Sequence, residues 1–388
     1  MAEAELTHES SPAADETAEL STGQLAEAKH YGRLQLICSL LDKAIDLVYL
    51  AAMAFAFAVP LDRWLAGSIA PMTLRLAALM LITFGLHLAI SFPLSVYSGH
   101  LLEARFGMSR QSFGRWLWRF AGMNALGLGL GLPLMLGLYW IIWLVGPWWW
   151  LAAAGASFVV GTLLGQLYPV LIQPLFYKVQ RIDDPQLAER MTRLAAGTGL
   201  SIEGLYRIDT SIETAKVNAM LAGLGRTRRV LLGDTLLSQF TPDEIEVILA
   251  HEIGHHVFRH IRKMIAAGVV TSAASFWLCN WALVAWVRHV EGHAASYAEM
   301  PVYTLPLLMF VMAASSLVLQ PLQNAVSRHF ERQCDRYALD RTGRAAAYRS
   351  AFCKLARLNK DDPSPHPAEV FLFHSHPPIA ERLAMARE

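Results

Sequence analysis

The feature that most constrains this chain is a set of apolar runs long enough to cross a bilayer. A transmembrane helix needs about 20 residues to span the hydrocarbon. Six runs reach that length, at about 40–61, 74–97, 117–144, 148–174, 263–288 and 302–325. Backbone groups in lipid must bond within their own segment, so each run reads as a helix. Of the 388 residues, 54% are hydrophobic and only 17% charged, whereas soluble domains carry about 25% charged residues. The formal net charge of +1 gives no bulk electrostatic case for nucleic acid. Cys38, Cys279, Cys334 and Cys353 show no CxxC spacing, which argues against a disulfide framework and a cysteine-based zinc site.

Residues 1–33 are acidic, small and polar, without an apolar h-region. They read as a disordered tail rather than a signal peptide. The predicted spans fall in two groups, four within 34–176 and two within 263–325. The first carries Asp42, Lys43 and Asp46 near its start, and the third contains "LGLGLGLP", a glycine alternation suited to close helix packing. Trp148, Trp149 and Trp150 suit a membrane interface. Lys29 and Arg33 precede the first span, four arginines separate the second from the third, and Lys178 and Arg181 follow the fourth. The loops after spans one, three and five are poor in Lys and Arg, so both termini are expected in the cytoplasm.

Residues 177–262 are polar enough to fold outside the lipid. "DDPQLAERMTRLAAGTGL" predicts an amphipathic helix. "GLYRIDTS" and "RRVLLGDTLL" predict short strands, with a weaker strand in "AKVNAMLAGLG". "TPDEIEVILAHEIGHHVFRHI" predicts a helix capped by Thr241, with Glu244 completing a capping box and Pro242 at the first position. Residues 326–388 form a last polar helical segment.

His251 and His255 lie four apart, so both imidazoles leave one helix face. Glu252 follows the first and can reach a metal-bound water without ligating the metal. This is the HExxH arrangement of two ligands and a general base. His256 and His260 share the helix but not its ligand face, and read as polar or interfacial. A catalytic zinc needs a third protein ligand and an open position. "SRHFERQCDRYALD" (327–340) offers Glu331 and Asp335, again four apart. Alone, this is an ion-paired helix surface beside Arg328, Arg332 and Arg336. Beside HExxH, Glu331 is the candidate third ligand, and Asp335 the group that fixes a ligand histidine through its far nitrogen.

With these elements the chain resembles the Ste24/CAAX prenyl protease group of M48 membrane zinc metalloproteases. The resemblance covers nearly everything after the first 30 residues. It rests on "VNAMLAGLGRTRRVLLGDTLL", "LAHEIGHHVFRHI", "SRHFERQCDRYALD", "HSHPPIAERL" and the loop "LLEARFGMSRQSF", in order. It implies a mostly α fold: a polytopic helix bundle enclosing a chamber, with a gluzincin-type protease domain bearing a small β-sheet. It implies one Zn2+ per chain on His251, His255 and Glu331, with Glu252 as base. Asp335 and Arg382 would support the ligands, and His376 would stabilise the oxyanion. Asn218 and Ala219 would pair a strand edge with extended substrate. Similar eukaryotic proteins have seven spans, and here the acidic tail replaces the first. "AMARE" at the C-terminus is no ER retrieval signal. Together these suggest a bacterial-type inner-membrane member with its site on the cytoplasmic side, or an ER-membrane location in a eukaryote.

The expected partners are the bilayer and a peptide or protein substrate, and no nucleic acid. One reading is cleavage near the C-terminus of prenylated CaaX substrates. The other is turnover of misfolded membrane proteins by the same chemistry without prenyl dependence. A zinc-bearing scaffold leaves Glu252 without a purpose. A transporter built on His87, Asn124 and Asn280 leaves the HExxH set unexplained.

Overall fold

The computed structural model describes residues 20–167, 177–200, 202–217, 219–222 and 229–387. Among them, five helical segments are long and apolar enough to cross a membrane: Thr22–Ala66 (α1), Met72–Arg105 (α2), Phe113–Leu167, His260–Glu291 and Val302–Thr342. Five of the six expected runs fall inside these segments, and the fourth, 148–174, does so as far as Leu167, its last seven residues lying outside the described set. The third and fourth share the segment 113–167, which divides into α3 (Phe113–Val145) and α4 (Trp149–Leu167). The break is at Gly146, whose φ of 70° suits a residue without Cβ, and Pro147 follows it.

Two expectations need correction. Part of the 1–33 tail is ordered: α1 begins at Thr22, where Ser21 and Gln24 form a capping box. Tyr31 is buried and donates from its hydroxyl to Glu103 at 2.6 Å. Residues 1–19 lie outside the described set. The expected boundary between 325 and 326 also dissolves, because one helix runs unbroken from Leu305 to Thr342. Membrane span and protease segment are there the same element.

The spans pack around a core that includes Leu76, Leu79, Tyr139, Trp149, Phe276 and Leu308. Several polar groups inside it are partnered, which offsets the cost of burying them. Tyr139 Oη lies 2.9 Å from Thr304 Oγ1, and Trp149 Nε1–H donates to Asn280 Oδ1 at 2.8 Å. Trp149 is therefore an inward-facing core residue, while Trp148 is exposed. His87 sits 2.7 Å from Asp46, and Asn124 donates to the Phe120 carbonyl. The three polar residues that hinted at transport are thus each satisfied locally. Val48, Trp118, Leu144, Val270 and Val318 point outward, as lipid-facing positions would.

Outside the bundle, Val179–Arg181 (β1), Gly204–Ile208 (β2), Ala219–Ala222 (β3) and Arg229–Gly233 (β4) form a sheet of order β1-β2-β4-β3. β2 and β4 run parallel, and the outer pairs are antiparallel. β4 is the buried centre and β3 an edge. The expected strand over "RRVLLGDTLL" stops at Gly233, and Asp234–Gln239 turns helical (α6), after α5 (Pro185–Ala195), the amphipathic helix expected from the sequence. Pro242–Val257 (α7) starts with the expected capping box, Thr241 accepting from the Glu244 amide. Then come α8 (His260–Glu291), α9 (Leu305–Thr342), α10 (Ala345–Asn359), α11 (Pro367–Phe373) and α12 (Ile379–Met385). A second core, with Leu232, Val247, Leu249, Ile253, Ala338 and Tyr348, joins sheet, α7, α9 and α10.

Candidate active site

The site forms where α7 crosses α9. Val247, Leu249, Ala250 and Ile253 anchor α7 in the second core, which leaves the face of His251, Glu252 and His255 turned to α9. The approach is close because residue 254 is glycine. A Cβ there would lie 3.1 Å from both Cα and Sγ of Cys334. Gly254 escaped the sequence reading, although a glycine inside a helix is a cost that asks for a packing reason.

His251 Nε2 lies 3.1 Å from Glu331 Oε2, and His255 Nε2 lies 3.3 Å from Glu331 Oε1. Their ligand atoms gather within 4.8 Å of one another. On its other side, His251 Nδ1 lies 2.9 Å from Asp335 Oδ1. Arg382 is buried and donates from Nε to Asp335 Oδ2 at 2.9 Å, with a second bond to Oδ1. Asp335 is itself fully buried. With both carboxylate oxygens engaged by Arg382, Asp335 stays ionised and accepts the His251 Nδ1 proton. The lone pair of His251 Nε2 then faces an anionic oxygen.

That opposition tests the fit of a metal. Two imidazole lone pairs and a carboxylate converge, all three acceptors, and Glu331 Oε2 is a buried oxygen without a hydrogen-bond donor. A buried orphan acceptor costs about 1–3 kcal/mol, more when charged. A cation coordinated by His2Glu removes the conflict, and the donor set suits zinc. The electrostatics favour positive charge here. Burial opposes a charged His251, yet its bonds to Asp335 and Glu331 prevail and push its pKa up to about 9, so the Nε2 position draws a positive charge, a proton where no metal ion takes the lone pair. Burial also raises the Glu252 carboxyl, against the smaller opposing effect of His251 and His255, which moves it toward the range useful to a base.

His376 follows α11, with Nε2 3.6 Å from Glu331 Oε1 and a side chain 61% exposed to the cleft. The cleft, of about 620 Å³, is lined in part by Val217, Phe352, His374, His376 and Arg382. Arg328, on α9, donates to the carbonyls of Val370 and His374 and so ties the His376 segment to the helix carrying Glu331. Ala219, on β3 at the sheet edge, pairs with Leu232 of β4, and β3 packs near α7. The Val217 amide donates to Asn359 Oδ1 at 2.9 Å. Asn218 lies outside the described residues. The structure thus brings together His251, Glu252, His255, Glu331, Asp335, His376 and Arg382. Arg328 and Asn359 were missed, since no local pattern marks a side chain whose partner is a carbonyl or amide more than 40 residues away.

A polytopic bundle that carries a His2Glu cluster between α7 and α9 points to the class: an integral-membrane metallopeptidase. Residues 181–388 match the model for peptidase family M48, and residues 4–178 match that described as "CAAX prenyl protease N-terminal, five membrane helices". The chain belongs to peptidase family M48 and is a multi-pass membrane metalloendopeptidase. It is 24% identical over 383 residues to the uncharacterized metalloprotease YhfN of Bacillus subtilis, covering 97% of this chain and 88% of that protein. It is 28% identical over 327 residues to CAAX prenyl protease 1 of Saccharomyces cerevisiae, covering 76% and 68%. The crystal structure of S. mikatae Ste24p shares the fold, with a TM-score of 0.81 at 24% identity over 94% of this chain and 89% of that one. The family implies a metal cofactor.

Proposed function

We propose that the chain is a zinc endopeptidase that cuts substrates reaching it from the membrane, with prenylated CaaX-type peptides as its substrate class. His251, His255 and Glu331 hold one zinc ion, and the observation that carries this is the convergence of their lone pairs on one buried point. When bound, zinc activates water and polarises the peptide carbonyl. Glu252 takes the proton from the attacking water and delivers it to the leaving amine. Asp335, held by Arg382, fixes the His251 tautomer. His376 offers a ring N–H to the developing oxyanion. Ala219, at the edge of β3, offers backbone groups to an extended substrate, and Asn218 precedes it in the sequence. The prenyl assignment leans on relatives named as CAAX prenyl proteases. The expected setting is a bacterial inner membrane, with the site on the cytoplasmic side.

The test uses purified protein in detergent and two fluorogenic peptides of one CaaX sequence, farnesylated and unmodified. Chelator-sensitive cleavage of the farnesylated peptide alone is expected. Glu252→Gln should lower it by about 10²–10⁴-fold, the usual worth of a general base, while zinc stays bound. Equal cleavage of both peptides removes the prenyl assignment and leaves general membrane-protein turnover. Full activity in Glu252→Gln removes the mechanism.

A further inference from the structure

His260 opens α8, five residues beyond His255. Arg259 between them has φ 56° and ψ 36°, a left-handed conformation that residues with a Cβ adopt rarely. That reversal returns His260 to α7, where it is completely buried. Its ring stacks on Phe330, the residue before Glu331, at 4.1 Å and 10°. Its Nε2 lies 2.9 Å from Gln333 Oε1. An amide oxygen only accepts, so His260 Nε2 carries the proton and Nδ1 presents its lone pair. That lone pair lies 3.2 Å from His255 Nδ1. His255 Nε2 is on the side of Glu331; where it gives its lone pair to zinc there, its proton sits on Nδ1 and points at His260.

We propose that His260, with its tautomer set by Gln333, is the positioning residue for His255. A chain of two N–H bonds, His255 to His260 to Gln333, holds the second ligand histidine in orientation and tautomer, as Asp335 holds the first. This rests on the zinc role proposed for His255. The acceptor here is neutral, so the site gains orientation without a second buried carboxylate. Cys334 Sγ lies 3.6 Å from His260 Nδ1, and His255, His260 and Cys334 are near enough to hold a metal of their own. Such an ion would strip the Nδ1 proton from His255, whereas the relay leaves each of these ring nitrogens partnered.

The test measures zinc stoichiometry and affinity by chelator competition on the full chain in detergent, with the melting temperature of each metal-free variant. The wild type should bind one zinc. His260→Phe keeps the stacking but removes the acceptor, and affinity should fall about 10–100-fold, as for other outer partners of metal ligands. His260→Asn restores an acceptor near the Nδ1 position and should return to within about threefold of wild type, because an amide oxygen can take the same proton. Gln333→Met frees the His260 tautomer and should weaken zinc about tenfold, the lower end for such partners. If His260→Phe does not fold, Gln333→Met decides. In the zinc-loaded variants kcat should fall with KM unchanged. Unchanged affinity in His260→Phe or in Gln333→Met, or equal loss in Phe and Asn, overturns the proposal. Two zinc ions in wild type, one lost in His260→Phe, overturns it in favour of a second metal site. No zinc in wild type overturns the zinc reading itself, a result distinct from the others.

Discussion

Gly254→Ala should damage the active site while leaving the fold largely intact. The added Cβ would meet Cys334 Cα and Sγ at 3.1 Å and Cβ at 3.2 Å. Carbon contacts are most favourable at about 3.5–4.0 Å, so α9 must retreat by about 0.4 Å or more. Two of the contacts are with Cα and Cβ, which no rotamer change can move aside. Such overpacking costs about 1–3 kcal/mol. Alanine in place of glycine returns about 1 kcal/mol of helix propensity. The net loss of stability is therefore only about 0–2 kcal/mol, by these two terms. The site is less tolerant. Glu331 and Asp335 flank Cys334 on α9, and metal-ligand distances hold to about 0.2 Å. A displacement of 1 Å can cost about 10²-fold in rate, so a shift near half that size should lower kcat/KM about tenfold and weaken zinc comparably. The assays are chelator competition, peptide cleavage and thermal melting on the same preparation. Wild-type zinc affinity and kcat/KM in a folded Gly254→Ala protein would refute the claim that this contact sets the distance between ligand helices.

Two further outcomes follow from the buried charges. Asp335→Asn should weaken zinc about 10–100-fold, because His251 loses its carboxylate partner. It should also lower stability by about 3 kcal/mol, because buried Arg382 loses the carboxylate that engages it at both oxygens and keeps only the longer contact to Glu331. Chelator competition and melting of the metal-free protein check both effects, and a variant unchanged in both would remove Asp335 from the site's support. Glu244 is buried at the start of α7. Burial raises its pKa, but the hydrogen bond from Ser350, the Thr241 amide and Lys354 together leave it lowered. The unfolded chain then binds the proton more readily, so this stabilisation is complete above the unfolded value of about 4.3 and is lost as pH falls through the folded value. Glu244→Gln should therefore melt well below wild type at pH 7, and the gap should narrow as pH falls below about 4.3, the unfolded value. A gap constant across that range would mean that the charge of Glu244 contributes nothing.

Much of this architecture is legible in the sequence because its causes are local. A run of apolar residues, a Thr-Pro-Asp-Glu cap and two histidines four apart each act within one or two turns of helix, and each appears where expected. What stayed hidden depends on which elements meet. Nothing near His260 reveals that Gln333 will face it, 73 residues on. Nothing near Asn359 points to the Val217 amide. The start of α1 was misread for the same reason. Residues 22–33 carry too few apolar side chains to look ordered, yet Tyr31 and Gln35 find Glu103, and that contact exists only once α1 and α2 are packed.

Helix α9 explains why metal chemistry and membrane packing belong to one chain. Its 38 residues at about 1.5 Å each make a rod of about 57 Å, nearly twice the hydrocarbon thickness of about 30 Å. Its first turns lie in the bundle core, where Leu305, Leu307 and Leu308 pack with Tyr139 and Phe276. Its last turns carry Glu331 and Asp335 to the histidines of α7. The histidine helix is tied to the bundle too, since α8 begins three residues after α7 ends. The position of Glu331 relative to His251 and His255 therefore depends on how two spans pack in the bilayer. Pro321 removes one backbone bond in α9 between these two halves. A soluble excision of residues 177–262 would keep both histidines and lose the third ligand together with the lever that places it.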